Sequence, residues 1–264
     1  MPAGRTAAYL EPYAAAHRRR ERGARALLWV GRHDQTVRFG AIASLCPLQG
    51  LHILDVGCGP ADLLGYLLGR GIRPAHYTGL EAQRWLVQAA RRRRYPDAEI
   101  VEGDFVRDPG LLDAGADVVI FSGSLNLLSS RQFFHTLERA WPVTRRCLAF
   151  NFLCSPDLAG EDYLRWHRPS SVLAWARRRT SVVRRASGYE DGDCTVVMGK
   201  RTARRRVVAL GHRYCVALQC ISDWEKPVVS TEAVLTEATH LLGRLAAGRE
   251  AWWRWPRSWG RTSA

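Results

Sequence analysis

Short apolar runs and helical segments alternate through the middle of the chain. The runs fall at residues 51–56 (LHILDV), 76–80 (HYTGL), 98–101 (AEIV), 116–121 (ADVVIF) and 147–153 (CLAFNFL). Turn-forming residues bound most of them, which is the pattern of buried strands. Between them lie 60–70, 82–94 and 130–141, whose apolar residues recur at helical spacing. The run at 116–121 is nearly all apolar and predicts a strand covered on both faces. This βαβαβ alternation predicts an α/β domain, a doubly wound, mostly parallel sheet with helices on both faces.

The rhythm changes at both ends. Residues 5–30 are rich in Ala and Arg and predict one helix, with Pro12 early, where a helix tolerates it. A second helix is expected at 34–46, with Asp34 as N-cap and Val37, Ala41 and Leu45 on one face beside Ile42. After a helix near 170–178, two β-rich stretches (SVVRRA and CTVVM) flank the turn-like SGYEDGD and predict an antiparallel hairpin. Residues 201–264 then hold an Arg cluster, one amphipathic helix near 231–247, and four tryptophans in the final AWWRWPRSWGRTSA. The expected organisation is an N-terminal helical lid or extension at 1–33, a ligand-binding domain at 34–200 and a basic, Trp-rich extension at 201–264.

Charge alters this picture less than its total suggests. The 264 residues carry a formal net charge of +14, yet lysine occurs only at Lys200 and Lys226. Residues 1–150 contribute +6, and the much shorter stretch 201–264 also contributes +6. The basic excess is thus spread over the surface and concentrated in the tail, with no single dense recognition helix. No apolar run reaches the roughly 18 residues of a spanning helix. The N-terminus lacks the order of a signal peptide, because Arg18-Arg19-Arg20 follows the apolar residues. The seven cysteines form no C-x-x-C, which points to free thiols in a cytoplasmic protein without a metal site.

The densest chemistry lies at the ends of the predicted strands. Asp55-Val56-Gly57-Cys58-Gly59-Pro60 joins the first strand to its helix. Its glycines permit a tight turn and close approach of a ligand. A dinucleotide fingerprint would place a third glycine where Asp62 stands, and an acid there opposes a pyrophosphate. Glu81 ends the second strand, where an ionised carboxylate can accept two hydrogen bonds from a ribose diol. Gly103-Asp104-Phe105 follows the third strand, with Asp104 able to accept from an adenine amino group and Phe105 able to pack on the ring. Ser122-Gly123-Ser124 follows the fourth, where small residues let a ligand pass near the backbone. Ligands of open α/β sheets lie outside the carboxyl ends of the strands, where all four features fall.

The runs ILDVGCGPADLLGYL, YTGLEAQ, IVEGDFV and ADVVIFSGSLNLL together resemble the class I S-adenosylmethionine-dependent methyltransferases over about residues 35–200. The resemblance implies a Rossmann-like seven-stranded sheet of order 3-2-1-4-5-7-6, strand 7 antiparallel. It implies S-adenosyl-L-methionine as cofactor. It places Asp55, Gly57, Cys58 and Gly59 at the methionine end and turn, with Cys58 as a packing residue. Glu81 is then the ribose acid, Asp104 and Phe105 form the adenine site, and Ser122 completes the cofactor contacts. Ala61 stands where many members have a third glycine.

Methyl transfer from a sulfonium needs alignment more than a general base. The weak candidates for handling an acceptor are Asn126, Asn151, His135, Tyr13 and His17, with Asn126 first because it follows the fourth strand. The [DN]-P-P-[YFW] turn of amino-methylating nucleic-acid enzymes and the Pro-Cys of cytosine-C5 enzymes are both absent after that strand. A small-molecule acceptor is therefore the leading expectation, with no membrane partner. An RNA or protein acceptor recruited by the basic tail, whose Trp and Arg residues could stack on bases, is the first alternative. A non-catalytic nucleotide-binding module is the second.

Overall fold

The structure is a computed structural model that describes residues 7–200, apart from Val30 and residues 159–160. The expectations for 201–264 lie outside the described residues. The described residues form one sheet of seven strands in the order β3-β2-β1-β4-β5-β7-β6. The strands are β1 (His52–Val56), β2 (His76–Glu81), β3 (Ala98–Glu102), β4 (Ala116–Phe121), β5 (Thr144–Leu153), β6 (Val183–Ser187) and β7 (Asp193–Gly199). The first five pair in parallel, and β7 runs antiparallel to both β5 and β6.

The helices are α1 (Glu11–Arg18), α2 (Arg32–Leu45), α3 (Asp62–Gly69), α4 (Arg84–Arg92), α5 (Ser130–Val143) and α6 (Pro169–Arg177). α5 starts at a capping box in which Ser129 N–H donates to Gln132 Oε1 at 3.1 Å and Gln132 N–H donates to Ser129 Oγ at 3.4 Å. It buries Phe133, Leu137 and Ala140 against Phe150 and Phe152 of β5. Phe133 is fully buried, a contribution of about 2–3 kcal/mol by area. Central β4 has both faces covered, as its apolar run predicts: Val118, Val119, Ile120 and Phe121 are all fully buried. This rigid centre carries the strand ends that build the site.

Two local expectations are corrected. The helix expected over 5–30 is broken. A 3-10 turn at Ala8–Leu10 leads into α1, Arg20 then adopts φ 58°, and a second 3-10 turn spans Gly23–Leu27. α2 begins at Arg32, and Gly31 is its N-cap in place of Asp34. Asp34 instead sits one turn inside and accepts the Gly31 N–H at 2.8 Å. Its buried face holds Phe39, Ala41 and Ile42 with two polar residues, Gln35 and Arg38. Val37 and Leu45 are only half-buried.

Arg38 is 5 % exposed and pairs with Asp193, itself 1 % exposed, at the start of β7. Tyr189 O–H also donates to Asp193, at 2.7 Å. A buried charge pair needs such extra hydrogen bonds to offset its desolvation.

Candidate active site

One cleft of about 90 Å³ opens at the carboxyl ends of the parallel strands. Its lining includes Asp55, Gly57, Cys58, Gly59, Glu81, Asp104, Phe105, Ser122 and Asn126. Residues spread over 72 positions of sequence are thus brought together by the strand order. Tyr13 lines it too. The other weak candidates do not. His17 stacks on Trp85 with ring centroids 4.5 Å apart. His135 is exposed on α5. Asn151 is fully buried in β5, where its Nδ2 donates to Thr195 Oγ1 at 2.9 Å.

The turn after β1 needs its glycines. Gly57 has φ +75°, and a Cβ there would come within 2.4 Å of the Ser124 Cβ. Gly59 has φ +55°. Ala61 also takes a left-handed conformation, φ 60°, as N-cap of α3. The backbone N–H groups of the turn are spent internally: Gly57 and Cys58 donate to Leu80 O at 2.7 and 3.1 Å, and Ala61 donates to Cys58 O at 3.0 Å. Gly59 N–H donates to Glu81 Oε2 at 2.9 Å. A pyrophosphate cradle would keep these donors free. Cys58 is buried; a Cβ on Gly79 would meet its Sγ at 2.7 Å.

Glu81 is 6 % exposed at the end of β2. Its Oε1 accepts the Gln83 N–H at 2.7 Å while Oε2 holds Gly59. These bonds fix the carboxylate across the turn and leave lone pairs toward the cleft. Burial raises its pKa, and the backbone donors oppose the rise. Asp55 is also buried, and Tyr77 O–H donates to its Oδ2 at 2.6 Å. Burial pushes the Asp55 carboxyl up to about 7; the Tyr77 bond opposes this, and the charges of Glu81 and Asp62 add to it. Asp62 is not part of the lining. It pairs with Arg93 and accepts from Gln35 Nε2 at 3.1 Å. The cleft therefore carries three acids, Asp55, Glu81 and Asp104.

Asp104 Oδ1 accepts the Val106 N–H at 3.0 Å, and Oδ2 accepts the Tyr9 O–H at 2.6 Å. Phe105 packs edge-on to Phe121 at 5.8 Å. Beyond β4 the pattern differs. Ser124 Oγ donates to Val56 O at 2.5 Å, but Ser122 Oγ and Asn126 Oδ1 are buried and have no hydrogen-bond partner.

The sequence suggests a lid or extension at 1–33 and names Tyr13 and His17 from it; Tyr9, Leu27, Leu28 and Trp29, which it does not single out, also line the cleft. Trp29 sits against Gly123, where a Cβ would come within 2.5 Å of the indole, and Arg38 stacks over its ring at 4.5 Å. A lone Trp in an Arg-rich stretch was the available signal. Tyr77 was missed as the Asp55 partner, although a polar tip inside a buried strand demands one. Among the described residues no three His, Cys, Asp or Glu are grouped to hold a metal ion. None of the described helices is long and apolar enough to cross a membrane.

Residues 53–146 match the family model of the methyltransferase domain. Among solved structures, an O-methyltransferase family protein from Burkholderia thailandensis is similar with a TM-score of 0.56 at 15 % identity, over 74 % of this chain and 63 % of that one. The mitomycin 7-O-methyltransferase MmcR gives 0.55 at 18 %, over 74 % of this chain and 61 % of that one. The DhpI–SAH complex gives 0.53 at 13 %, over 72 % of this chain and 93 % of that one. This chain thus spans less than two thirds of the length of both O-methyltransferases. At these identities the likeness is one of fold. No curated protein matches the chain. The family match covers residues 53–146, and the strand order is the one that the resemblance to class I methyltransferases implies.

Proposed function

We propose that the chain is an S-adenosylmethionine-dependent methyltransferase acting on a small-molecule acceptor in the cytoplasm. The observation that supports this most strongly is the meeting of Asp55, Glu81 and Asp104, from three different strand ends, in one cleft. The donor set suits the cofactor. Glu81 is oriented by two backbone N–H groups to receive a ribose diol. Asp104 and Phe105 serve the adenine, Asp55 faces the cationic methionine end, and the turn with Gly57, Cys58 and Gly59 lets the chain approach closely. Ser122 Oγ is an unpartnered buried polar atom that a ligand can satisfy. S-adenosylmethionine, when bound, supplies a methyl group on a good neutral leaving group. The protein's work is then to hold and orient the acceptor and to exclude water. The internally bonded turn amides support this cofactor over a dinucleotide.

Thermal shift with S-adenosylhomocysteine tests the cofactor reading, because a ligand of the folded state alone raises stability. Labelled-methyl transfer into a cell extract tests the acceptor. Label in the small-molecule fraction is expected. Label lost to ribonuclease or protease favours a macromolecular acceptor, and cofactor binding without label favours a non-catalytic module.

A further inference from the structure

Two buried polar atoms stand beyond β4 with nothing to bind, and one of them belongs to a residue the cofactor does not require. Asn126 is 7 % exposed, and its Oδ1 has no partner. Its backbone is fixed by two hydrogen bonds: its N–H donates to Gly123 O at 3.2 Å, and its carbonyl accepts the Arg165 N–H at 2.7 Å. A buried, rigidly held, unpartnered carbonyl costs stability unless something supplies a donor. Asn126 shares the lining of the cleft with Tyr13, Trp29, Leu127 and Leu164. Those side chains suit an apolar body, and the carbonyl suits one N–H or O–H group on it.

The geometry points to a small, largely apolar amine as the methyl acceptor, with Asn126 Oδ1 receiving an N–H of the acceptor nitrogen. This rests on the methyl-transfer reading above and deepens it. A neutral amine offers an N–H to Asn126 and a lone pair to the methyl group at once. The nitrogen lone pair forms the new N–C bond as the C–S bond breaks, and that bond's electron pair stays on sulfur as a neutral thioether. The methylated nitrogen is then cationic and gives its extra proton to water. A hydroxyl would need its proton taken during the attack, and an amide carbonyl cannot take it. Tyr13, the phenol most deeply buried in the lining, is held protonated by burial and by the charge of Glu81.

The test uses the full chain. In a filtered cell extract, product label should pass into organic solvent at pH 11 and into water at pH 3, as a methylated amine does. Label that enters the organic phase at both pH values, as an ether or ester would, overturns the proposal. So does an absence of small-molecule label while S-adenosylhomocysteine still binds; loss of that binding strikes the underlying cofactor reading instead. Asn126→Leu should lower labelling about tenfold or more, with S-adenosylhomocysteine affinity within about twofold of wild type. Asn126→Asp, which keeps an acceptor oxygen, should retain more labelling than Asn126→Leu. Equal labelling by all three overturns the assignment. Without turnover, aniline, which is neutral near pH 7, should raise the melting temperature of the S-adenosylhomocysteine complex more than toluene does, because only aniline can donate to Asn126 Oδ1. Asn126→Leu should erase that difference, and equal shifts in the wild type contradict the proposal.

Discussion

At the ends of β1 and β2 each carboxylate is already engaged: Glu81 holds Gly59 and Gln83, and Asp55 holds Tyr77. Beyond β4, Asn126 Oδ1 holds nothing. The first region is prepared by the protein itself, so its ligand meets groups that need no rearrangement. The second is incomplete until a ligand supplies donors. Preorganisation suits a cofactor common to a whole class, while unsatisfied groups in an apolar wall suit the molecule that distinguishes one enzyme from another.

The largest expected effect separates the wall from the cofactor turn. Asp193→Ala leaves Arg38 buried without its partner and should cost about 3–5 kcal/mol in denaturant unfolding. Neither Arg38 nor Asp193 lines the cleft. S-adenosylhomocysteine affinity, measured where the variant is folded, should therefore hold within about threefold; a large loss would show that the wall and the turn are one unit.

The next effect is on pH. With its carboxyl raised to about 7, Asp55 contributes stability below its ordinary range near pH 4, lost as pH rises through about 7. A cationic ligand favours the ionised form. S-adenosylmethionine affinity should therefore fall as pH drops below about 7, by up to tenfold per unit. Asp55→Asn should flatten that profile in calorimetric titrations from pH 5.5 to 8; an unchanged profile would remove Asp55 from the cationic end. The smallest effect is at Ala61, held at φ 60°. Ala61→Gly should relieve this and stabilise the fold by about 1 kcal/mol, with cofactor affinity unchanged.

Much of the prepared region was legible in the sequence, because its geometry is local. The turn after β1, Glu81 at the end of β2 and Asp104 after β3 each follow an apolar run, and parallel order carries such ends to one edge. The wall was hidden for the opposite reason. Arg38 meets Asp193 across 155 positions, and Gln35 meets Asp62 across 27. No period of α2 announces such partners, so its polar residues read as surface. The N-terminal segment is built of good helix formers, and its break at Arg20 and Gly23 is a tertiary choice that brings Leu27 near Gly59 and Trp29 against Gly123.

The central claim is that the prepared region binds S-adenosylmethionine through Glu81. Calorimetric titration of S-adenosylhomocysteine into the full chain and into Glu81→Gln tests it most directly. The account predicts one-site binding to the wild type and affinity about 100-fold weaker in the variant, which loses charge-assisted bonds to the ribose. No heat from the wild type at millimolar ligand, or equal affinity in the two proteins, would contradict it.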